Sequence, residues 1–244
     1  MKVDAVILAG GKLKGSDQEK AFVKLGEQTL LEKCVQTLKK CSSISKLIVA
    51  SAPQSCKEMP FVDELLHDTD DLLQNIVNAL QKVKSEKVLL VASDIPFVTA
   101  GHIDEFLNSC SKVKADIYYP LVPKSSMGEF SAMKRTYFKL DRTEFTGGNI
   151  ILVEKAVFLA NLGLARKIYN NRKSPLKLAQ LVGPYFLIKL ALGKLTVSEA
   201  EQKTTKIIGG QVKGIIIPRP EIGSDIDKVE DLQFFQELYG GKNE

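Results

Sequence analysis

The sequence predicts an α/β protein organised as three layers, an open and mostly parallel sheet with helices on both faces. Three observations carry that expectation. Short apolar runs at Ala5–Leu8, Lys46–Ala50 and Val88–Ala92 have the near-continuous hydrophobicity of strands covered on both sides. Between them, apolar residues recur at helical spacing, and this alternation continues as far as Cys110, the order expected of βαβ units. The chain of 244 residues, 44% hydrophobic and 26% charged, is long enough to bury one core or two tightly joined halves.

The first strand run stops at Gly10-Gly11 and gives way to a polar segment carrying Lys12, Lys14 and Lys20. Thr29-Leu30-Leu31-Glu32 has the capping-box pattern and opens a helix to about Lys40, with Cys34, Val35 and Leu38 inward. Lys46–Ala50 reads as the second strand and Ser51–Met59 as a loop. Leu65–His67 predicts a brief strand that delivers Asp68, Thr69 and Asp70 to a loop, before a helix whose buried face is Leu72, Leu73, Ile76, Val77 and Leu80. Val88–Ala92 ends in Ser93-Asp94-Ile95-Pro96, where Pro96 disfavours immediate helix and leaves Asp94 at the carboxyl end of a buried strand. Gly10-Gly11 and Asp94 therefore belong to one edge of the sheet. Thr99 caps the next helix, with Ile103, Phe106, Leu107 and Cys110 inward.

Ala115–Tyr119 predicts another strand, and Pro120 and Pro123 introduce a polar, mobile stretch through Met133. Gly147-Gly148-Asn149 precedes the apolar run Ile150–Val153 and admits two readings, close backbone approach to a ligand or a hairpin turn. Helix is expected over Glu154–Tyr169, again through Leu176, Leu178 and Ala179, and again over Gly183–Gly193; Thr196-Val197-Ser198-Glu199 opens one more. Gly214–Pro218 is a late strand, and a terminal helix turns Leu232, Phe235 and Leu238 inward. The chain reads as one domain over 1–244, divided only loosely at 122/123.

A strand, a glycine turn and then cations outline a phosphate site, because exposed N–H groups and a lysine together neutralise anionic oxygens. Alone, Gly10-Gly11 is more simply a tight turn. No G-x-G-x-x-G follows the first strand and no G-x-x-x-x-G-K-[ST] occurs, so neither a dinucleotide fingerprint nor a P-loop is supported. Asp225 and Asp227, two apart in an extended segment, point the same way and can face one ion.

Leu8-Ala9-Gly10-Gly11, then Lys20 and the run Ala21-Phe22-Val23-Lys24-Leu25-Gly26, resembles the head of the MobA-like NTP transferase family, nucleotidyltransferases related to molybdenum cofactor guanylyltransferase. Asp94-Ile95-Pro96 resembles that family's D-x-P element, and Ser224–Leu232 its closing D-x-D-x-x-E-D-L segment. The phosphate loop departs from the pattern, offering Lys14-Gly15 where members carry an arginine and glycine, and no arginine precedes Arg135. The resemblance implies the nucleotide-diphospho-sugar transferase fold, a Rossmann-like mixed, mostly parallel sheet, and transfer of a nucleoside monophosphate from a nucleoside triphosphate to a phosphorylated small-molecule acceptor.

It further implies Lys20 and Asp94 as catalytic residues, and Leu8, Ala9, Gly10, Gly11, Lys12, Lys20, Asp68, Asn75 and Asp94 as the nucleotide site, with Gln74 a further candidate. Asp68 to Asp71 equally suit the first turn of a helix, where acidic side chains meet the positive end of the dipole. Asp94 and Asp227 are the expected Mg2+ ligands, with Asp225 beside them. On the acceptor side stand Gly147, Gly148 and Asn149, with the cation pairs Arg172-Lys173 and Lys134-Arg135, each of which also reads as solvated surface. The helical region after residue 154 has no counterpart in compact members of the family. A nucleotide-sugar glycosyltransferase and a non-catalytic nucleotide-binding regulator remain as alternatives.

A net charge of +5 is spread among acids without interleaved aromatic residues, which argues against nucleic acid as a partner. No apolar run approaches the roughly 18 residues of a membrane span, and the N-terminus enters a strand directly, so a cytoplasmic protein without a signal peptide is expected. Cys34, Cys41, Cys56 and Cys110 lie apart, predicting free thiols and no zinc. Oligomeric state is left open.

Overall fold

A computed structural model describes residues 1–57, 59–171 and 181–240. The chain forms β1 (Val3–Leu8), β2 (Lys24–Leu25), β3 (Gln28–Thr29), α1 (Leu30–Lys39), β4 (Ile44–Ala52), β5 (Glu64–His67), α2 (Leu72–Lys82), β6 (Lys87–Ala92), α3 (Ala100–Ser111) and β7 (Ile117–Pro123). It continues through β8 (Phe138–Leu140), β9 (Thr143–Gly147), β10 (Ile150–Glu154), α4 (Lys155–Ala160), α5 (Leu162–Asn171), α6 (Pro184–Ala191), α7 (Val197–Ile208), β11 (Val212–Ile216) and α8 (Val229–Gly240).

Among the described residues, nine strands make one mixed sheet in the order β5-β4-β1-β6-β10-β7-β9-β8, with β11 also on β7. β5, β4, β1 and β6 run parallel, and β10 is antiparallel to both β6 and β7. Strands from both sides of residue 122 thus share one sheet. Strand alternation supplies both helical layers. Val3, Ala5 and Ile7, with Leu47, Val49, Leu89 and Val91, face one core with α1, α3 and Phe235 of α8. Val6, Ile48, Ala50, Val88 and Leu90 face the other, under Leu73, Ile76, Ala79 and Leu80 of α2. Because both faces are covered, these strands read as unbroken apolar runs. The predicted caps at Thr29, Thr99 and Thr196 all form, each hydroxyl accepting from the backbone N–H three residues on.

Register brings the ligand edge together: Leu8 lies opposite Ala50 on one side and Ala92 on the other. The turns after β1, β4 and β6 therefore emerge side by side.

Several expectations are corrected. Residues 120–133 are not a mobile polar stretch: β7 runs through Pro120 to Pro123, and Met127, Phe130 and Met133 are buried beyond it. The Phe130 ring packs at 6.1 Å from Phe97 and 6.0 Å from Phe235, so aromatic burial holds what the prolines suggested would be loose. Gly147-Gly148-Asn149 is not a hairpin turn, because β9 and β10 both pair antiparallel with β7 and form one strand line interrupted by a bulge. The helix expected over Glu154–Tyr169 breaks at Asn161 into α4 and α5. The helical pattern at Leu176, Leu178 and Ala179 lies outside the described residues. All four cysteines are free and buried, and burial pushes the Cys41 and Cys110 thiols up to about 12. No helix among the described residues is long and apolar enough to cross a membrane.

Asp4 shows how a polar residue earns a place in a buried strand. It is 2% exposed, and its carboxylate accepts from the Lys84 and Ser85 N–H groups at 2.7 and 3.0 Å, tying the turn between α2 and β6 to β1. Asp4→Ala removes a buried carboxylate that accepts from two backbone donors of this turn, and urea denaturation is expected to show a loss of about 1–2 kcal/mol. The geometry at the carboxyl end of β1, the opposite end of the strand, is expected to be unaffected.

Candidate active site

At the carboxyl edge, the chain after β1 turns sharply at Gly11, whose φ of +100° is open only to glycine without strain. Gly10 is required for a different reason: a Cβ there would lie 2.9 Å from the Ser51 Cβ. The loop that follows is ordered. Leu13 is buried, its N–H donates to the Gln18 carbonyl at 2.9 Å, and the Lys20 N–H returns to the Gly11 carbonyl at 3.0 Å. This return directs the Lys20 side chain across the edge toward the end of β6.

There the Lys20 ammonium meets Asp94 Oδ2 at 2.8 Å and Asp227 Oδ1 at 2.5 Å. Lys14, from the same loop, meets Asp227 Oδ2 at 2.8 Å, and its N–H donates to the Asp227 carbonyl at 2.9 Å. Asp225 completes the group, with one carboxylate oxygen from each of Asp94, Asp225 and Asp227 lying within 4.8 Å of one another. Asp225 is itself held by the Arg135 guanidinium and by Asn149 Nδ2 at 3.3 Å. Asp231, at the start of α8, accepts from the Asp227 and Lys228 N–H groups at 3.0 and 3.1 Å and fixes the turn that presents Asp227.

The charges shape one another. Burial pushes the Asp94 carboxyl above its usual range, with Lys20 opposing and the Asp225 and Asp227 charges adding to the rise. Burial works against the Lys20 cation, but Asp94 and Asp227 outweigh it and raise its affinity for the proton. Burial would likewise raise Asp227, yet its pairs with Lys14 and Lys20 prevail and bring it down to about 2. Asp94 Oδ1 is buried and has no hydrogen-bond partner among the described residues. An orphaned carboxylate oxygen beside two more carboxylates fits a hard divalent cation.

Beside this cluster, Gly10, Gly11, Lys12, Glu19, Gln54 and Asp68 line a cleft of about 320 Å³, along with Ser51, Pro53 and Asp70. Leu8 and Ala9 form its strand-end approach and are largely buried. Ser51 and Asp70 have φ of +56° and +61°, backbone conformations disfavoured for residues with a Cβ and held here at the cleft wall. Asp68 lies on this wall, but Asn75 lies behind it. Buried Asn75 donates to Asp68 Oδ1 at 2.5 Å and accepts from the Thr69 N–H and hydroxyl at 3.0 and 2.7 Å. Its amide orients the loop, while Gln74 is exposed and bonds Asn78 at 2.9 Å. Asp71, offered as a helix-charging residue, caps α2 by accepting from the Leu73 and Gln74 N–H groups.

On the other flank, Gly147 and Gly148 are packed by protein. A Cβ on Gly148 would lie 2.6 Å from Pro120, and one on Gly147 would strike the Tyr119 ring. Asn149 reaches the cluster through Asp225. Arg135 does the same, while Lys134 is exposed, so these two neighbours do not act as a pair. Arg172 and Lys173 lie outside the described residues. Sequence reasoning set Lys14 in the phosphate loop without its Asp227 partner, and it did not place Glu19, Ser51, Gln54 or Asp70 in the cleft; the left-handed backbone of Ser51 follows from tertiary contacts and not from its residue type.

Parallel strands feeding glycine, lysine and carboxylate turns to one edge, beside antiparallel β10, are the layout of nucleotidyltransferases. Residues 5–154 match the MobA-like NTP transferase domain, and the chain belongs to that family. A transferase structure from Thermus thermophilus, described as hypothetical, is 34% identical and superposes with a TM-score of 0.84 over 95% of this chain and 100% of its own. The 2-C-methyl-D-erythritol 4-phosphate cytidylyltransferase from Thermus thermophilus shares the fold at 17% identity, with a TM-score of 0.60 over 98% of this chain and 100% of its own. A probable molybdenum cofactor guanylyltransferase from Clostridium perfringens is 32% identical over 126 residues, 51% of this chain and 60% of that protein. The chain therefore matches under two thirds of that curated relative.

The low Asp227 value has a checkable cause. Against an unfolded value of roughly 3.9, its ion pairs contribute stability that is complete above about pH 4 and is lost as pH falls through about 2. Carboxyl NMR titration is expected to show the Asp227 midpoint moving up in Lys14→Ala, and stability declining at a higher pH than in the parent.

Proposed function

We propose that this protein transfers a nucleoside monophosphate from a nucleoside triphosphate to a phosphorylated small-molecule acceptor, releasing pyrophosphate. The observation that supports it most directly is the meeting of Lys20 with Asp94 and Asp227 at the glycine edge, next to the orphaned Asp94 oxygen. Family membership and the names of the relatives supply the reaction class.

In this reading, an oxygen of the acceptor phosphate attacks the α-phosphorus of the triphosphate, and the bond from that phosphorus to the bridging oxygen breaks as pyrophosphate leaves. The attacking phosphate is already ionised, so no strong base is required. Alignment and charge neutralisation carry the rate. Asp94 and Asp227, with Asp225, would hold Mg2+, which when bound supplies positive charge to the phosphate oxygens. The backbone at Gly10-Gly11 approaches the polyphosphate closely, and the Lys20 ammonium on its flexible stem exchanges carboxylate for phosphate contacts. Lys14 takes the position where the family carries arginine. It can neutralise charge, but it lacks the bidentate fork. The cleft between Gly10 and Asp68 accommodates the nucleoside.

The acceptor side falls to residues beyond 122, in a division of labour within one sheet. Arg135 holds Asp225 in its ligand position, and Asn149 reinforces it. Arg135 Nε is buried with no hydrogen-bond partner among the described residues and is a candidate donor to an acceptor phosphate. Arg172 and Lys173 remain candidates from sequence. A nucleotide-sugar glycosyltransferase would release a nucleoside diphosphate in place of pyrophosphate, and the product assay separates the two.

Two outcomes are expected. Calorimetry with Mg2+ and a panel of nucleoside triphosphates should show Asp94→Asn losing binding, and Lys20→Ala weakening it by about 3 kcal/mol, as expected for a charge removed from a desolvated ionic contact. Unchanged affinity in both variants would remove the assignment. Pyrophosphate release with a panel of phosphorylated acceptors should show Arg135→Ala lowering kcat/KM for the acceptor by tenfold or more, with triphosphate affinity weakened less because Arg135 also holds Asp225.

A further inference from the structure

Beyond the transfer reaction, we propose that the outer face of α6 is a docking surface for an anionic lipid bilayer. The argument begins with α6. Its residues Phe186 and Leu190 pack into a small core with Leu121, Leu140, Phe145 and Leu195. The opposite side is also apolar: Tyr185, Ile188 and Leu192 recur at i, i+3 and i+7, which places them in one stripe. That stripe faces outward, with Tyr185 72%, Ile188 56% and Leu192 62% exposed, and no partner for it is found among the described residues. A helix apolar on opposite sides is normally buried on both, so the outer stripe calls for a second apolar phase.

Charge identifies that phase. Between Lys155 and Gln211 the sequence carries ten lysines and arginines against two glutamates, a net of +8, so the rest of a +5 chain carries −3. Cations border the Tyr185 end of the stripe. Lys203 and Lys206 of α7 line a cleft of about 350 Å³ together with Tyr185, Phe186 and Lys189. Lys189 is neutralised by Glu199, whereas Lys194, Lys203 and Lys206 make no ion pair among the described residues. An outward apolar stripe flanked by unpaired lysines matches the interface of a bilayer with acidic headgroups: side chains enter the acyl boundary while ammonium groups meet phosphates. A nucleic acid would use the cations but offers nothing to Ile188 and Leu192. The interaction is peripheral, since no described helix is long and apolar enough to span a membrane.

Co-sedimentation of the full chain with vesicles tests this. Vesicles containing phosphatidylglycerol are expected to bind at least tenfold better than pure phosphatidylcholine, with binding falling about tenfold between 0.1 and 0.5 M salt as headgroup charge is screened. Tyr185→Ser/Ile188→Ser/Leu192→Ser should lose tenfold or more. So should Lys203→Glu/Lys206→Glu, with melting temperature and triphosphate affinity unchanged in both. Absence of binding to either vesicle, or equal binding by the variants, overturns the proposal. So does light scattering that shows a dimer of the parent dissociated by the triple variant, or an acidic protein partner released by it while vesicles are ignored. Triphosphate affinity is read separately, so failure here is distinct from failure of the nucleotidyl-transfer reading.

Discussion

Charge convergence at one point governs this structure. Asp94, Asp225 and Asp227 arrive from two distant stretches of chain and crowd together at the end of β6, where like charges repel strongly because little water intervenes. Lys20 makes the arrangement tenable by pairing with Asp94 and Asp227 at once, and its own loop is folded back so that it can do so. A buried pair of this kind contributes little net stability, since desolvation offsets most of the attraction, but losing one partner leaves an uncompensated charge. Such a group is retained more readily for chemistry than for folding.

The same network joins the two ends of the chain. Lys14 binds the segment around Asp227 through both backbone and side chain, and Asp231 fixes that segment from the opposite side. Arg135 enters from the region beyond β7 and holds Asp225. Residues from the first loop, the central strand, the second half and the C-terminal segment thus share one electrostatic unit. A cation and a polyphosphate arriving there would redistribute contacts already present, and Lys20 is the group with the reach to exchange partners.

Much of the fold was legible because its signals are local. Apolar runs announced β1, β4 and β6, and hydroxyl caps announced α1, α3 and α7, each interaction lying within three residues. Failures occurred where distant partners override local preference. Pro120 and Pro123 suggest loose chain, yet buried Met127, Phe130 and Met133 anchor the segment. Gly147-Gly148 suggests a turn or a ligand contact, but the space beside each glycine is filled by Tyr119, Pro120 and Ile222. Asn75 carries the chemistry of a base-reading residue, while its amide is occupied by Asp68 and Thr69.

The sequence by itself determined the α/β class and the parallel strands of the first half, because strand runs and caps are written in adjacent residues, and its resemblance to the family grouped Gly10-Gly11, Lys20, Asp94 and Asp225-Asp227 as a set. Only the tertiary structure decided how members of that set meet: that Lys20 bridges Asp94 to Asp227, that Lys14 closes the loop on the C-terminal segment, and that Arg135 serves Asp225. It alone showed that Tyr185, Ile188 and Leu192 on the outer face of α6 are exposed. These are matters of register and of contacts across tens to hundreds of residues, and a contact energy between side chains leaves no mark in the local pattern of either.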